Sequence, residues 1–187
     1  GFFSIFPFII QIIAKNAIGN IGDFLKKKNI LTNTQAVRIF QVFGNIGTAC
    51  CFLVLAFFVD CDTVPLAVVV LATYGLFISC GVLGFYTSLL SIAPRFAGTV
   101  ASISLLIASL VHSLVPMLMG FLNKNGTREE WKKIWLFAVF LHCLGAVVFG
   151  TFGSAEIQEW AKFVPESNDE EKLKLNKIIE RKKTDEL

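Results

Sequence analysis

Lys15 lies inside the apolar run that opens the chain, eight residues before Asp23 and so roughly 12 Å along a helix rising about 1.5 Å per residue. Ser4, Gln11, Lys15, Gly19 and Gly22 recur at helical spacing and share its face. An ammonium at that depth has two uses. It can attract an anion into a water-filled path, or its aliphatic stem can snorkel to the headgroups. His112, deep in another run, shares a face with Ala101, Leu105, Ser109, Pro116 and Gly120. Small residues at that spacing mark close helix approach, and an imidazole titrates near neutral pH, so the readings are a packing histidine or a proton relay. His142 stands alone among apolar residues and reads as packing. Gln41, Asn45 and Thr48 repeat beside Gly44 and Gly47, an interior face that packs on a neighbour or lines a path. Gln11, Lys15, Asn45 and His112 are the candidates to line a solute path.

Other chemistries lack their residues. Of the five cysteines, Cys50, Cys51, Cys61, Cys80 and Cys143, none has CxxC spacing, and a single adjoining histidine (His142, beside Cys143) makes no ligand set, so neither a metal site nor a disulfide framework is expected. The apolar runs carry no paired aspartates, Ser/Lys dyad or His-rich motif. No enzyme activity and no cofactor are expected. The net charge of +3 does not point to nucleic acid, because no basic stretch is interleaved with stacking aromatics.

The elements that must hold these residues are spanning helices. Of the 187 residues 55% are apolar and only 17% charged, with a mean hydropathy of +0.67. A soluble domain carries about a quarter charged residues. About half of the 31 charged side chains lie in the last 32 residues, leaving long stretches nearly free of charge. A bilayer-spanning helix needs about 20 apolar residues, and five segments qualify: 2–21, 40–59, 65–90, 97–122 and 134–152. With no water in the hydrocarbon, only helices satisfy their own backbone there, and barrel alternation is absent. The expected fold is an all-α membrane protein of five transmembrane helices, residues 1–153, followed by a polar, partly disordered tail, 154–187.

Five spans put the two ends on opposite sides. One side collects Lys26, Lys27, Lys28, Arg38, Arg95 and the tail, 12 of the 17 Lys and Arg, so the tail is expected in the cytoplasm. Helical spacing at Leu173, Leu175, Ile178 and Ile179 allows a short helix there, and the terminal Asp185-Glu186-Leu187 matches a lumenal retrieval signal by chance. Asn125-Gly126-Thr127 is a glycosylation sequon, but Thr127-Arg128-Glu129-Glu130 is also a capping box, and the cap is the reading we adopt. The sequence opens on Gly1 within an apolar run, with no basic n-region or cleavage site, and is expected to be truncated at its N-terminus.

Several blocks together resemble one family. They are Gly19-Asn-Ile-Gly-Asp23 with the lysines after Leu25, Ile30-Leu-Thr, Val37-Arg38-Ile-Phe40, Gly84-Phe-Tyr-Thr87, Ile92-Ala-Pro-Arg-Phe-Ala-Gly98, Lys124-Asn-Gly-Thr-Arg-Glu-Glu-Trp131, and Phe152-Gly-Ser-Ala-Glu156 with Gln158 and Trp160. The chain is similar through most of residues 1–160 to the anion:cation symporters of the major facilitator superfamily, which include vesicular glutamate transporters, sialin and type I sodium–phosphate cotransporters. The resemblance implies helices 8 to 12 of a twelve-helix transporter, whose two six-helix halves rock around a central site. It implies transport of small organic or inorganic anions coupled to H+ or Na+. The expected partners are the lipid bilayer, an anionic solute and a coupling cation, in a plasma or endolysosomal or secretory-vesicle membrane. It also implies that Asp23 and Arg95 neighbour one another at the cytoplasmic face as gate candidates. Where the family often reads Asn-His-Leu-Asp after Gly-Phe-Tyr-Thr, this chain has Ser88-Leu89-Leu90-Ser91. Where helix 11 usually has Gly-Ile-Ser-Asn, it has Ser102-Ile-Ser-Leu105. Those departures keep a second reading open, a non-transporting paralogue serving as a membrane sensor or assembly partner.

Overall fold

The computed structural model describes residues 5–60 and 62–162. The tail helix, the terminal Asp-Glu-Leu and Ser4 lie outside the described residues. Within them there are helices and turns and no strand: α1 (Phe6–Lys27), α2 (Asn33–Phe58), α3 (Val64–Ser79), α4 (Phe85–Ser91), α5 (Ala97–Leu122) and α6 (Arg128–Phe152). Cys80–Val82 joins α3 to α4 as a 3-10 turn, so the two form one interrupted traverse, giving five in all. Among the described residues four traverses are long and apolar enough to cross a membrane, and the described part of α1 is not among them. The large apolar side chains left exposed, Met117 at 76% and Phe152 at 82% among them, are surface that a bilayer covers. The chain is a multi-pass membrane protein.

Local chemistry sets the helix ends. Thr127 caps α6 as its sequence signature requires: its hydroxyl accepts from the Glu130 N–H, and the Glu130 carboxylate accepts from the Thr127 N–H. Asn125, the sequon asparagine, also donates through Nδ2 to Glu130 at 3.1 Å. The same Thr-x-x-Gln device at Thr32 and Gln35 starts α2 at Asn33, ahead of the apolar segment that begins at residue 40. The helices therefore run past the hydrocarbon into polar turns. α1 likewise continues to Lys27, placing Lys26 and Lys27 in its last turn, where the negative end of the helix dipole favours them.

α2 is the centre of the bundle, antiparallel to both α3 and α6. Against α3 it presents Gly44 and Gly47, on which the Phe77 ring and the Cys80 side chain rest. Further along, Cys51, Leu55 and Val70 form a buried cluster beside Phe52 and Tyr74. Against α6 it meets Gly150 through Val42 and Gly145 through Asn45. Small residues let backbones approach closely where lipid offers no hydrophobic drive for helix association. α1 packs on the other side of α3 through Ala14 and Ile18, which meet Cys80 and Leu83. Ser79, fully buried, donates to the Gly75 carbonyl at 2.7 Å and lies 3.2 Å from the Gln11 carbonyl. α5 differs from the rest, because none of its residues is buried.

The segment expected as one helix over 65–90 breaks after Ser79. At Gly84 (φ −78°, ψ −91°) the backbone leaves helical geometry, and the Gln41 side chain fills the space a Cβ would need. Gln41 Oε1 accepts the Phe85 N–H at 2.9 Å, supplying a partner for an amide orphaned by the restart of the helix.

Candidate functional site

The solute-path candidates lie on α1 and α5, which pack on different parts of the α3–α4 traverse, and on α2, which is packed inside. On α1, Ala14, Ile18 and Gly22 are buried while Lys15 is exposed and Gln11 and Gly19 are partly covered. The packed stripe thus runs beside Lys15 rather than through it. Among the described residues Lys15 makes no hydrogen bond or ion pair. Asn16, Asn20 and Asp23 are exposed on the same helix, and Asn16 turns back to the Ile12 carbonyl at 2.9 Å. The result is a helix with one face set in the bundle and a mixed remainder uncovered, in which Lys15, Asn16, Asn20 and Asp23 stand among Phe8, Ile9, Ile12 and Ile13.

His112 is exposed on α5. Its neighbours Ser109 and Ser113 spend their hydroxyls on the carbonyls one turn back, Leu105 at 2.8 Å and Ser109 at 3.0 Å. Asn45 is brought to the other histidine: its Oδ1 lies 3.4 Å from His142 Nδ1. That ring also packs 5.4 Å from the Phe52 ring centroid. His142 is therefore held between α2 and α6 as a packing histidine. Thr48 is fully buried and Gln41 serves the helix break, so the polar face of α2 is consumed inside the bundle.

At the end of the bundle that carries the C-terminal segment, the structure assembles contacts that sequence reasoning missed. Arg38 Nε donates to the Gly153 carbonyl at 2.6 Å. The Ser88 hydroxyl donates to the Ser154 carbonyl. The Ala155 N–H donates to the Thr34 hydroxyl at 3.2 Å, and the Gln158 N–H to the Ile92 carbonyl at 2.9 Å. Trp160 stacks on Phe96 with centroids 6.2 Å apart. Residues 153–162, most of them assigned by sequence to the tail, thus form a strap across the ends of α2, α4 and α5. No local signal announces it, since each partner is distant along the chain.

Arg95 lies under this strap, in the turn Pro94–Phe96, exposed and with its guanidinium 5.8 Å from the Phe96 ring centroid. Asp23 is exposed in the last turns of α1. Ion pairs among the described residues include Asp60 with Arg128, at 3.0 Å, and Glu159 with Lys162. No group of three or more His, Cys, Asp or Glu that could hold a metal occurs among the described residues.

Comparison with known proteins bears on this arrangement. The chain is 36% identical over 180 residues to a Caenorhabditis elegans protein described as the uncharacterized transporter slc-17.3, covering 93% of this chain and 33% of the relative. It is 34% identical over 172 residues to vesicular glutamate transporter 2.2 of Danio rerio, covering 92% and 28%. Against human vesicular glutamate transporter 2 it is 33% identical over 172 residues, covering 92% and 29%. The chain is homologous to the anion:cation symporters of the major facilitator superfamily. No protein-family model matches it. The chain spans about a third of the length of the curated relatives it matches.

Proposed function

We propose that the chain forms helices 8 to 12 of a secondary transporter that moves small anions by alternating access, coupled to H+ or Na+. The observation that carries the reading is Lys15, exposed near the middle of α1 beside its packed stripe, with Asn16, Asn20 and Asp23 also uncovered on that helix. A lone ammonium facing lipid costs at least a few kcal/mol, whereas one facing water in a central cavity raises the local anion concentration. The family relationship supports the same assignment, and the names of the relatives make glutamate the first anion to test. In this reading α1 and the bare α5 flank the cavity, bringing Gln11, Lys15 and His112 to its wall. Asp23 and Arg95 approach one another when the tail end closes. That end is cytoplasmic, as its lysines favour.

The test is uptake of labelled glutamate and phosphate into vesicles containing the full-length protein. Lys15→Ala is expected to raise the apparent KM, and Lys15→Arg to preserve it in part. Unchanged kinetics in Lys15→Ala at normal membrane amounts would leave a snorkelling lysine. The departures at 88–91 and 102–105 favour the second reading, a sensor or assembly partner that keeps the fold. Absence of uptake for every anion and gradient tried, in a correctly folded full-length protein, would establish it.

A further inference from the structure

At the end of the bundle opposite the strap, the end of α2 and the starts of α3 and α6 enclose an open groove of about 550 Å³. Below its mouth the walls are apolar: Leu55, Val59, Leu71 and the indoles of Trp131 and Trp135, whose rings stack 6.2 Å apart. Three candidate spans end here, so the mouth lies at the membrane–water boundary, the depth tryptophan favours. Two bases and one acid ring the mouth. Asp60 is paired with Arg128 at 3.0 Å, which leaves Lys132 as the net charge. The Lys132 ammonium sits 4.6 Å from the centroid of Phe57, a ring 47% exposed on the lipid-facing side. The cation is thereby held at the outer lip of the groove.

We propose that this groove binds an anionic phospholipid, its phosphate at Lys132 and Arg128 and an acyl chain along Leu55, Leu71 and Trp135. The combination selects the occupant. A small hydrophilic anion would leave the apolar length of the groove at Leu55, Val59 and Leu71 unfilled, and a zwitterionic lipid would gain little from the lysine. An anionic lipid satisfies both parts of the site. The site is separate from the solute path and does not depend on whether the protein transports.

The test uses the full-length protein in nanodiscs with phosphatidylglycerol or phosphatidylcholine bearing an acyl-chain diazirine, at equal mole fraction. After photolysis, label in the peptides containing Leu55, Leu71 and Trp135 is expected to be roughly fivefold greater from the glycerol lipid, the worth of one basic side chain at an anionic surface. Lys132→Gln should bring the two lipids to parity, Lys132→Arg should keep the preference, and Leu71→Trp, which fills the groove, should lower both. Equal labelling in the wild type, or a preference that survives Lys132→Gln, would overturn the proposal. So would loss of the preference on adding millimolar inorganic phosphate, which would make this a site for a free anion.

Discussion

Arg38 on α2 and Gly153 after α6 are joined by a 2.6 Å hydrogen bond from the guanidinium Nε to the carbonyl oxygen, across 115 residues of sequence. The bond leaves the α6 terminus with a charged donor on a carbonyl it would otherwise expose. With the Ser88 and Gln158 contacts it ties together the ends of α2, α4 and α6. Any motion that separates α5 from α2 at this end must break or carry the strap.

Arg38→Ala is expected to destabilise the fold by about 1.5–3 kcal/mol, the range for a hydrogen bond from a charged group, with the lower end favoured because the site is only partly buried. Thermal unfolding of the full-length protein in detergent would read this as a lowered midpoint. An unchanged midpoint would show that Ser88, Thr34 and Gln158 hold the strap without it.

The glycines of the bundle separate into two kinds. A Cβ on Gly44 would lie 2.8 Å from the Phe77 carbonyl oxygen and 3.0 Å from the Cys80 Cβ, while one on Gly19 meets nothing within 4 Å. Gly44→Ala should therefore destabilise by about 1–3 kcal/mol through overpacking against backbone. Gly19→Ala should stabilise by up to about 1 kcal/mol from helix propensity. Equal effects at the two positions would mean that α2 and α3 do not approach as closely as described.

Thr127→Ala removes the α6 cap and should cost about 1 kcal/mol, and Thr127→Ser should restore most of it. Because Asn125 donates to Glu130, the sequon is expected to stay unmodified in the folded protein. A mass shift on treatment of the wild type with a glycosidase would contradict that.

The 187-residue chain alone is expected to show no saturable, ion-coupled uptake, because alternating access needs two halves moving about a shared site. Uptake by the purified chain in vesicles would remove the reading of it as one part of a larger transporter.

What the sequence determined by itself is what local or bulk chemistry controls. The traverses follow from the length of apolar runs, since hydrocarbon allows no other way to satisfy the backbone. The α6 cap follows from Thr127 and Glu130 standing three residues apart. The family relationship follows from blocks of residues read in order. Tertiary structure alone decided the rest. Gln41 caps a helix break 44 residues away, Asn45 meets His142 across 97, and Ser88 reaches Ser154 across 66. Helical periodicity puts a polar residue on a face but leaves its partner open, because each helix can be rotated and paired in several ways until the small residues of α2 interlock with α3 and α6. That packing turned Asn45 inward to a histidine and left Lys15 outside the packed stripe of α1.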